Sequence, residues 1–437
     1  MPGRLLLIPA IACLAFAIAC TSGGDPDPTP SPTPLTTAAP TTGPPGSPGP
    51  AAFGLDDPTF GADRALAHAQ ALAVDIGSRP AGSAEELATA DYIRAELASY
   101  GYETELQPFP IQVYETFRSD LDVTYGGGTS QIDAAPLVGS SSATETGQLV
   151  SVGLGYPGDF PAAANGNIVL LERGVIEFSS KVANAEDAGA VAAVIYNNEG
   201  GPFAGQLSET PGIPVVSIAR EDGKSLLDLM ANETLTATVD VEINVVDGES
   251  RNVVARPSDG ACRIVVGGHY DSVPAGPGAN DNGSGTAVVI ELARTLAANG
   301  GGDVCFALFG AEELGLIGSS AYVAALSPDE LSGIEAMLNF DMLAVGSGWP
   351  MGGSTSLVLL AGEVAEGLGI PFDISPSEPG GSDHATFIEA GVPALILNCF
   401  CDSNYHTADD RLDFLERQRF EEAGALGLGL LEALLAA

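Results

Sequence analysis

From Asn252 onward the chain alternates short, almost uninterrupted apolar runs with segments of helical periodicity. The runs include NVVARP, RIVVGGHYD, VCFALFGAEE and IEAMLNFDM, and helices are predicted from Gly285 to Ala298 and again from Ser319. Strands that are apolar on both faces and joined by helical crossovers are typical of a mostly parallel sheet with helices on both sides. We therefore predict an α/β fold with a mostly parallel central sheet flanked by helices.

Each predicted strand of this region ends near a residue that can bind a metal. Any one of these residues alone would more often be structural. Several strand ends of one parallel sheet converge on one crevice, however, and ligands bind such sheets there. The candidates are His269 and Asp271 in GGHYDS, Asp281 in ANDNGSG, Glu312 and Glu313 in AEELG, Asp341 in NFDM and His406 in YHTADD.

Imidazole and carboxylate groups bind divalent metals such as zinc, and two neighbouring ions need a carboxylate that binds both. Asp281, in a Gly-rich loop, is the candidate for this bridge. Asp271 follows His269, where its carboxylate can accept the second imidazole N–H and fix the tautomer. Of the adjacent Glu312 and Glu313, one can bind metal while the other acts as a general base.

Residues 118–248 have a different texture, with short alternating apolar runs separated by Gly and Pro turns. This pattern predicts a separate β-rich module. Apolar residues at helical spacing between Phe60 and Tyr100 predict a helical segment before it. We therefore predict one domain formed by residues 53–117 and 249–437, with the β-rich module inserted between its two parts.

Residues 1–20 have the pattern of an export signal. Arg4 precedes an apolar run, and Cys20 follows a small alanine, as in the bacterial lipoprotein box, although Ala17 stands where leucine is usual. We predict a lipoprotein-type signal peptide whose Cys20 is lipidated, with plain secretion as the alternative. Residues 21–52 are rich in Thr, Pro, Ser and Gly and predict a disordered tether. The expected location is extracytoplasmic, at a bacterial cell surface, and the lipid anchor is the expected membrane contact.

The cysteines beyond the export segment are candidates for disulfides, because an oxidising compartment preserves them. Cys262 and Cys305 lie in predicted strands, and adjacent strands would bring them together. Cys399 and Cys401 are too close in sequence to bond along a regular strand, although a loop would allow the bond. A structural zinc site is the alternative, but the spacing lacks paired CxxC motifs.

Charge excludes several partners. The chain has 57 acidic and 16 basic residues, a formal net charge of −41, and its two lysines are Lys181 and Lys224. Nucleic acid and anionic membrane surfaces attract clustered Lys and Arg, so we expect neither as a partner. The turn from Asn282 to Gly285 lacks the Lys and Ser/Thr of a phosphate-binding loop, so no nucleotide is expected.

Six motifs in order, GGHYDS, ANDNGSG, AEELGLIGS, NFDM, SDHATF and YHTADD, resemble the dizinc aminopeptidases of the secreted bacterial leucine aminopeptidase and aminopeptidase Y-like type. The segment IGSRPAGSAEELATADYIRAELASYGYET resembles the opening of that family, and the β-rich module resembles a protease-associated (PA) domain. The resemblance implies a dizinc exopeptidase fold, two Zn²⁺ per chain and peptide substrates. The implied activity is release of N-terminal, apolar residues.

The resemblance also implies roles for individual residues. One zinc would bind His269, Asp281 and Asp341, and the other Asp281, Glu313 and His406. Glu312 matches the general base of the family. Tyr405 matches a tyrosine that hydrogen-bonds the oxyanion, with a packed loop aromatic as the alternative interpretation. His384 matches a motif that supports the substrate pocket, and Phe387 is expected to pack near the substrate side chain.

Relatives within the same superfamily define the alternatives. Metallo-carboxypeptidases and dipeptidases share the metal ligands, glutaminyl cyclases keep the fold with one zinc, and receptor-like ectodomains lose ligands that this chain retains. Some relatives place Arg before the SDH motif, where this chain has Gly381 and no cation for a substrate carboxylate. A cation from the module, Arg173 or Lys181, would instead favour recognition of a carboxylate and thus a carboxypeptidase.

Overall fold

The structure is a computed structural model that describes residues 53–436 except 199, 204, 208–209, 259–260, 375–380 and 400–401. The predicted signal peptide, its Cys20 and the tether lie outside the described residues. Among the helices that the structure describes, none is both long and apolar enough to cross a membrane.

The α-helices are α1 Ala62–Gln70, α2 Ala84–Ser99, α3 Phe178–Asp187, α4 Arg220–Met230, α5 Gly285–Ala298, α6 Ile317–Ala325, α7 Pro328–Gly333, α8 Thr355–Leu368, α9 His384–Glu389 and α10 Arg417–Leu435. The strands are β1 Glu103–Tyr125, β2 Gly128–Pro136, β3 Ala143–Ser151, β4 Ile168–Glu172, β5 Ala192–Tyr196, β6 Val215–Ile218, β7 Thr236–Arg256, β8 Ile264–His269, β9 Val304–Phe309, β10 Ala336–Phe340, β11 Pro350–Gly353, β12 Asp373–Ile374 and β13 Ala394–Leu397.

The C-terminal strands form a mostly parallel sheet. Strands β9, β8, β10 and β13 lie side by side and parallel, while β7 and β11 flank them antiparallel. Every residue of these four parallel strands is buried, because apolar clusters cover both faces of the sheet. In β8, for example, Ile264 and Val266 belong to one cluster and Val265 to the other. The first cluster includes residues of α1, α5, α8 and α10, and the second includes residues of α6 and α9. The predicted α/β fold is confirmed.

A long ribbon of β1 and β7 connects this sheet to the inserted module. The two strands pair antiparallel from Glu103 with Arg256 to Thr124 with Thr236, with an irregularity at Thr116. At the outer end of the ribbon, strands β2, β6, β5, β4 and β3 link β1 back to β7 and close a barrel. Because the ribbon passes through both predicted module boundaries, those boundaries stay a prediction.

The helical segment predicted before the module is present. The segment between Phe60 and Tyr100 contains two helices, α1 and α2. A π-helical turn, Ala71–Ile76, continues α1, and a loop follows in which Gly77 has a φ of 96° and Gly82 a φ of 80°. These values lie in the left-handed region that favours glycine. The loop carries Arg79, whose role is described below.

The predicted disulfide between Cys262 and Cys305 is formed, with the two Cα atoms 5.2 Å apart. Cys305 lies in β9 beside Val265 of β8, which places Cys262, just before β8, within reach. Cys399 is buried and forms no disulfide with another cysteine among the described residues. Cys401 lies outside the described residues, so its pairing stays a prediction.

Candidate active site

The loops at the carboxyl ends of the parallel strands bring the predicted metal ligands together. His269 is the last residue of β8, and Asp281 lies in an irregular turn, Ala279–Ser284, that leads into α5 and in which the backbone of Asp281 itself is not helical. The ligand atoms form three overlapping groups, each within 4.8 Å, which are His269, Asp281 and Asp341; Asp281, Glu313 and His406; and His269, Glu312 and Glu313. The first two groups share Asp281.

Asp281 lies between the two histidines. Its Oδ1 is 3.2 Å from Nε2 of His269, and its Oδ2 is 3.2 Å from Nε2 of His406. Oδ1 of Asp341 lies 3.4 Å from the same nitrogen of His269, and Oε2 of Glu313 lies 3.1 Å from that of His406. A carboxylate whose two oxygens face different imidazoles is arranged to bridge two cations.

Burial and mutual repulsion shape the protonation of this group. Burial raises the pKa of Glu312 well above its ordinary value and raises the pKa of Glu313 to about 7. Burial alone would lower the pKa of both histidines, but the surrounding carboxylates outweigh it. Glu312 and Asp341 raise the pKa of His269, and Glu313 raises the pKa of His406 to about 10. The negative charge of the carboxylates thus exceeds the positive charge that two imidazoles can provide. Divalent cations would supply the missing positive charge.

Unpartnered polar atoms test whether these residues fit metal ions. Oδ1 of Asp341 and Oε1 of Glu313 are buried without a hydrogen-bond partner among the described residues. Leaving such atoms unpaired costs about 1–3 kcal/mol each. Ligation would remove that cost, and the donor set of imidazole and carboxylate is one that zinc binds. The residues of both groups therefore fit divalent cations.

Asp271 supports the loop that carries the two glutamates. Its carboxylate accepts the backbone N–H of Glu312 at 3.1 Å and that of Glu313 at 3.2 Å. Its Oδ1 is 3.5 Å from Nδ1 of His269, which is long for a hydrogen bond. The best-formed hydrogen bonds of Asp271 are therefore those to the backbone of the two glutamates. Its role in fixing the tautomer of His269 stays a prediction.

Two cavities lie beside the ligands, between the strand-end loops and the inserted module. The larger, of about 410 Å³, is lined by Glu312, Glu313, Gly381, Tyr405 and His406 together with residues of the module. The smaller, of about 250 Å³, is lined by Tyr405 and His406 as well. The Tyr405 side chain is 43% exposed and its ring stacks on His406, with the ring centroids 3.7 Å apart. This position suits contact with a substrate.

Phe387 lies in the core of the structure. Its side chain is wholly buried, packs against Phe309 and Tyr322, and lines neither cavity. Helix α9 begins at His384, and the residues that it buries include both His384 and Phe387. Burial also lowers the pKa of His384 to about 4, and this histidine lines neither cavity either. Both residues thus lie in the core and line neither cavity, and their expected roles at the substrate pocket stay predictions.

Sequence reasoning missed two residues that hold the Asp281 loop. The guanidinium of Arg79 is wholly buried, and its Nη2 donates to the backbone oxygen of Gly278 at 2.9 Å. The carboxylate of Asp410 accepts the backbone N–H of Asn280 at 2.7 Å and that of Asp281 at 3.0 Å. Both lie within motifs that the sequence singled out, IGSRPAGS and YHTADD, but their partners are far away along the chain and no spacing reveals them.

A parallel sheet whose strand ends gather two histidine–carboxylate groups around a shared aspartate is the architecture of a metal-dependent hydrolase. The model of peptidase family M28 matches residues 252–430, and the model of the PA domain matches residues 135–226. The second match lies within the predicted module of residues 118–248.

Individual relatives extend this match over most of the chain. Aminopeptidase YwaD of Bacillus subtilis (strain 168) is 36% identical over 394 residues, 84% of this chain and 83% of the relative. Leucine aminopeptidase 2 of Arthroderma otae is 35% identical over 341 residues, 72% of this chain and 68% of the relative. A solved zinc aminopeptidase from Bacillus subtilis has a TM-score of 0.71 and 34% identity, covering 86% of this chain and 96% of that one. The chain therefore belongs to peptidase family M28, which confirms the predicted family and the prediction that it is a peptidase.

Proposed function

We propose that the protein is an aminopeptidase that releases apolar N-terminal residues from peptides and binds two Zn²⁺ per chain. The observation that carries this proposal is the position of Asp281 between His269 and His406. His269, Asp281 and Asp341 would hold one ion, and Asp281, Glu313 and His406 the other. When bound, zinc supplies Lewis acidity that polarises a carbonyl and lowers the pKa of water. The aminopeptidase relatives support the choice of reaction.

Glu312 acts as the general base in this proposal. It belongs to neither of the two groups that share Asp281, although its Oε2 lies 3.9 Å from Nε2 of His269. Its carboxylate lines the larger cavity, so it can take a proton from the attacking water and deliver it to the leaving amine.

The remaining groups of the cavity bind and orient the substrate. A peptide N-terminus carries an ammonium, and burying it without a partner of opposite charge would be costly. Glu312, which lines the larger cavity and belongs to neither of the groups that share Asp281, provides such a partner. Tyr405, exposed beside His406, donates its hydroxyl hydrogen to the oxyanion that forms on the scissile carbonyl.

Hydrolysis of leucyl p-nitroanilide by the purified protein, compared with its N-acetyl derivative, tests this function. We expect turnover of the free amine alone, and two zinc ions per chain by elemental analysis. Efficient cleavage of N-acetylated dipeptides that stops on C-terminal amidation would replace the proposal with a carboxypeptidase. A content of one zinc in fully active protein would refute the paired-ion site.

We also propose that the enzyme acts outside the cytoplasm, anchored through lipidated Cys20. The disulfide between Cys262 and Cys305 supports an oxidising compartment. Cells that express the full chain, labelled with a fatty acid, should yield a labelled membrane-bound protein, and Cys20→Ala should yield an unlabelled one. Absence of label from the unaltered chain would favour plain secretion.

A further inference from the structure

Arg173 belongs to the inserted PA domain but lies at the cavities of the peptidase site. It follows β4 directly and lines both the cavity of about 410 Å³ and the cavity of about 250 Å³. Tyr405 and His406 line both cavities too. The insert therefore contributes Arg173 to the lining that the two cavities share, together with Tyr405 and the proposed metal ligand His406.

The side chain of Arg173 is held in place from its own domain. Nη1 donates to Oδ1 of Asn197 at 3.1 Å, and the guanidinium carbon lies 5.1 Å from the ring centroid of Phe203. Asn197 and Phe203 are both buried, so they form a firm support. Arginine has five N–H donors. Within the part of the chain that the structure describes, no carboxylate forms an ion pair with Arg173, which leaves donors available for a ligand.

No other lysine or arginine among the described residues lines these cavities. Lys181 is wholly buried, and its Nζ donates to the backbone oxygen of Leu154 at 2.6 Å. Gly381 lines the larger cavity without offering any charge.

We propose that Arg173 binds a carboxylate on the leaving-group side of the scissile bond, so that the enzyme prefers short peptides with a negative charge one or two residues beyond that bond. This inference rests on the proposed aminopeptidase function. In an aminopeptidase the ammonium is fixed on one side of the reacting carbonyl, and the rest of the peptide extends to the other. An extended chain advances about 3.3–3.6 Å per residue, so the carboxylate of a dipeptide or tripeptide stays within about 7 Å of the cleaved bond.

Local contact must produce this preference, because the overall field opposes it. A net charge of −41 repels acidic peptides. A guanidinium can donate two parallel hydrogen bonds to a carboxylate, which gives both strength and orientation. The carboxylate has two possible sources, the C-terminus of the peptide or an acidic side chain, and the substrates below separate them.

The test measures kcat and KM for Leu-Gly-Gly, its C-terminal amide, Leu-Glu-Gly-amide, Leu-Gln-Gly-amide and leucyl p-nitroanilide. The unaltered enzyme should favour Leu-Gly-Gly over its amide by about 10- to 100-fold in kcat/KM, mainly through KM, as expected for a hydrogen bond to a charged group. If Arg173 instead binds the carboxylate of an acidic side chain, the enzyme should prefer Leu-Glu-Gly-amide over Leu-Gln-Gly-amide.

In Arg173→Met, which keeps an unbranched apolar stem, the ratio between acid and amide should fall to near one. Arg173→Lys should keep part of it, because an ammonium retains the charge but not the planar fork. Arg118→Met is the matched control. Arg118 lies on the ribbon, pairs with Asp240 and Glu242, and lines neither cavity. Its loss changes the net charge equally and should leave the ratio intact.

An unchanged acid-to-amide ratio in Arg173→Met would overturn the inference. An equal loss of kcat/KM on every substrate would also overturn it, because it would assign Arg173 a structural role. If the Met variant folds poorly, Arg173→Lys repeats the test. Failure of the aminopeptidase proposal looks different. In that case the unaltered enzyme would ignore leucyl p-nitroanilide and cleave N-acetyl-Leu-Gly instead.

Discussion

Replacing Glu312 with glutamine separates proton transfer from metal binding. Glutamine keeps the size of the side chain and loses its basicity, while both groups around Asp281 keep all their ligands. A positioned general base contributes about 10²- to 10⁴-fold to turnover. The expected fall in kcat corresponds to about 3–5 kcal/mol in the activation barrier. We therefore expect the variant to retain its metal content and fold and to lose nearly all of its activity.

Glu313→Gln is the matched control, since both glutamates receive the same backbone support from Asp271. Oε2 of Glu313 lies 3.1 Å from Nε2 of His406, so this variant should lose metal as well as activity. The assay combines leucyl p-nitroanilide kinetics with elemental analysis after gel filtration. Loss of an ion from Glu312→Gln, or retention of both in Glu313→Gln, would show that the roles of the two glutamates are assigned the wrong way round.

Three more outcomes follow from the structure. Asp281→Ala should lose both ions, whereas His406→Ala should retain about one, and equal metal contents in the two purified variants would contradict the bridge. Burial lowers the pKa of His68 to about 3, so the unfolded chain binds a proton below pH 6.5 that the folded chain rejects. The contribution of His68 to the free energy of unfolding should thus fall by about 2 kcal/mol from pH 6.5 to 5, measured in denaturant titrations as the difference in pH dependence between the unaltered chain and His68→Phe. Phe387→Ala should cost about 3–5 kcal/mol of stability without changing which aminoacyl anilide is preferred, and a changed preference would return Phe387 to the substrate pocket.

The sheet could be predicted because burial on both faces leaves a clear pattern in the sequence. Strands β8, β9 and β10 are almost continuously apolar, and helix α5 has the predicted bounds, Gly285–Ala298. Parallel topology then brings the strand ends to one edge, which is why residues as distant as His269 and His406 could be predicted to share a site. This inference needs the order of elements and no detail of the loops.

The position of Phe387 could not be predicted in the same way. The SDHATF motif indicates that this segment lies near the site, but not which face of the short helix α9 meets the sheet. That face is set by packing, and Phe387 contacts Tyr322 of α6, a residue with no sequence signal of its own. A motif therefore locates a segment more reliably than it locates a side chain within that segment.

Which basic side chain of the module lines the cavities could not be predicted either, because its placement depends on how the module packs on the peptidase domain. The sequence offered Arg173 and Lys181 on equal terms. Pairing along the β1–β7 ribbon ties the module to the main sheet, and Nε2 of Gln206 donates to the backbone oxygen of Leu314, the residue after Glu313, at 2.6 Å. These contacts bring the end of β4 to the cavities, while α3 directs Lys181 into the core of the module. Tertiary packing therefore decides that Arg173, and not Lys181, reaches the cavities. If Arg173 binds the substrate as proposed, substitutions at the interface around Gln206 should alter substrate preference without altering any proposed metal ligand.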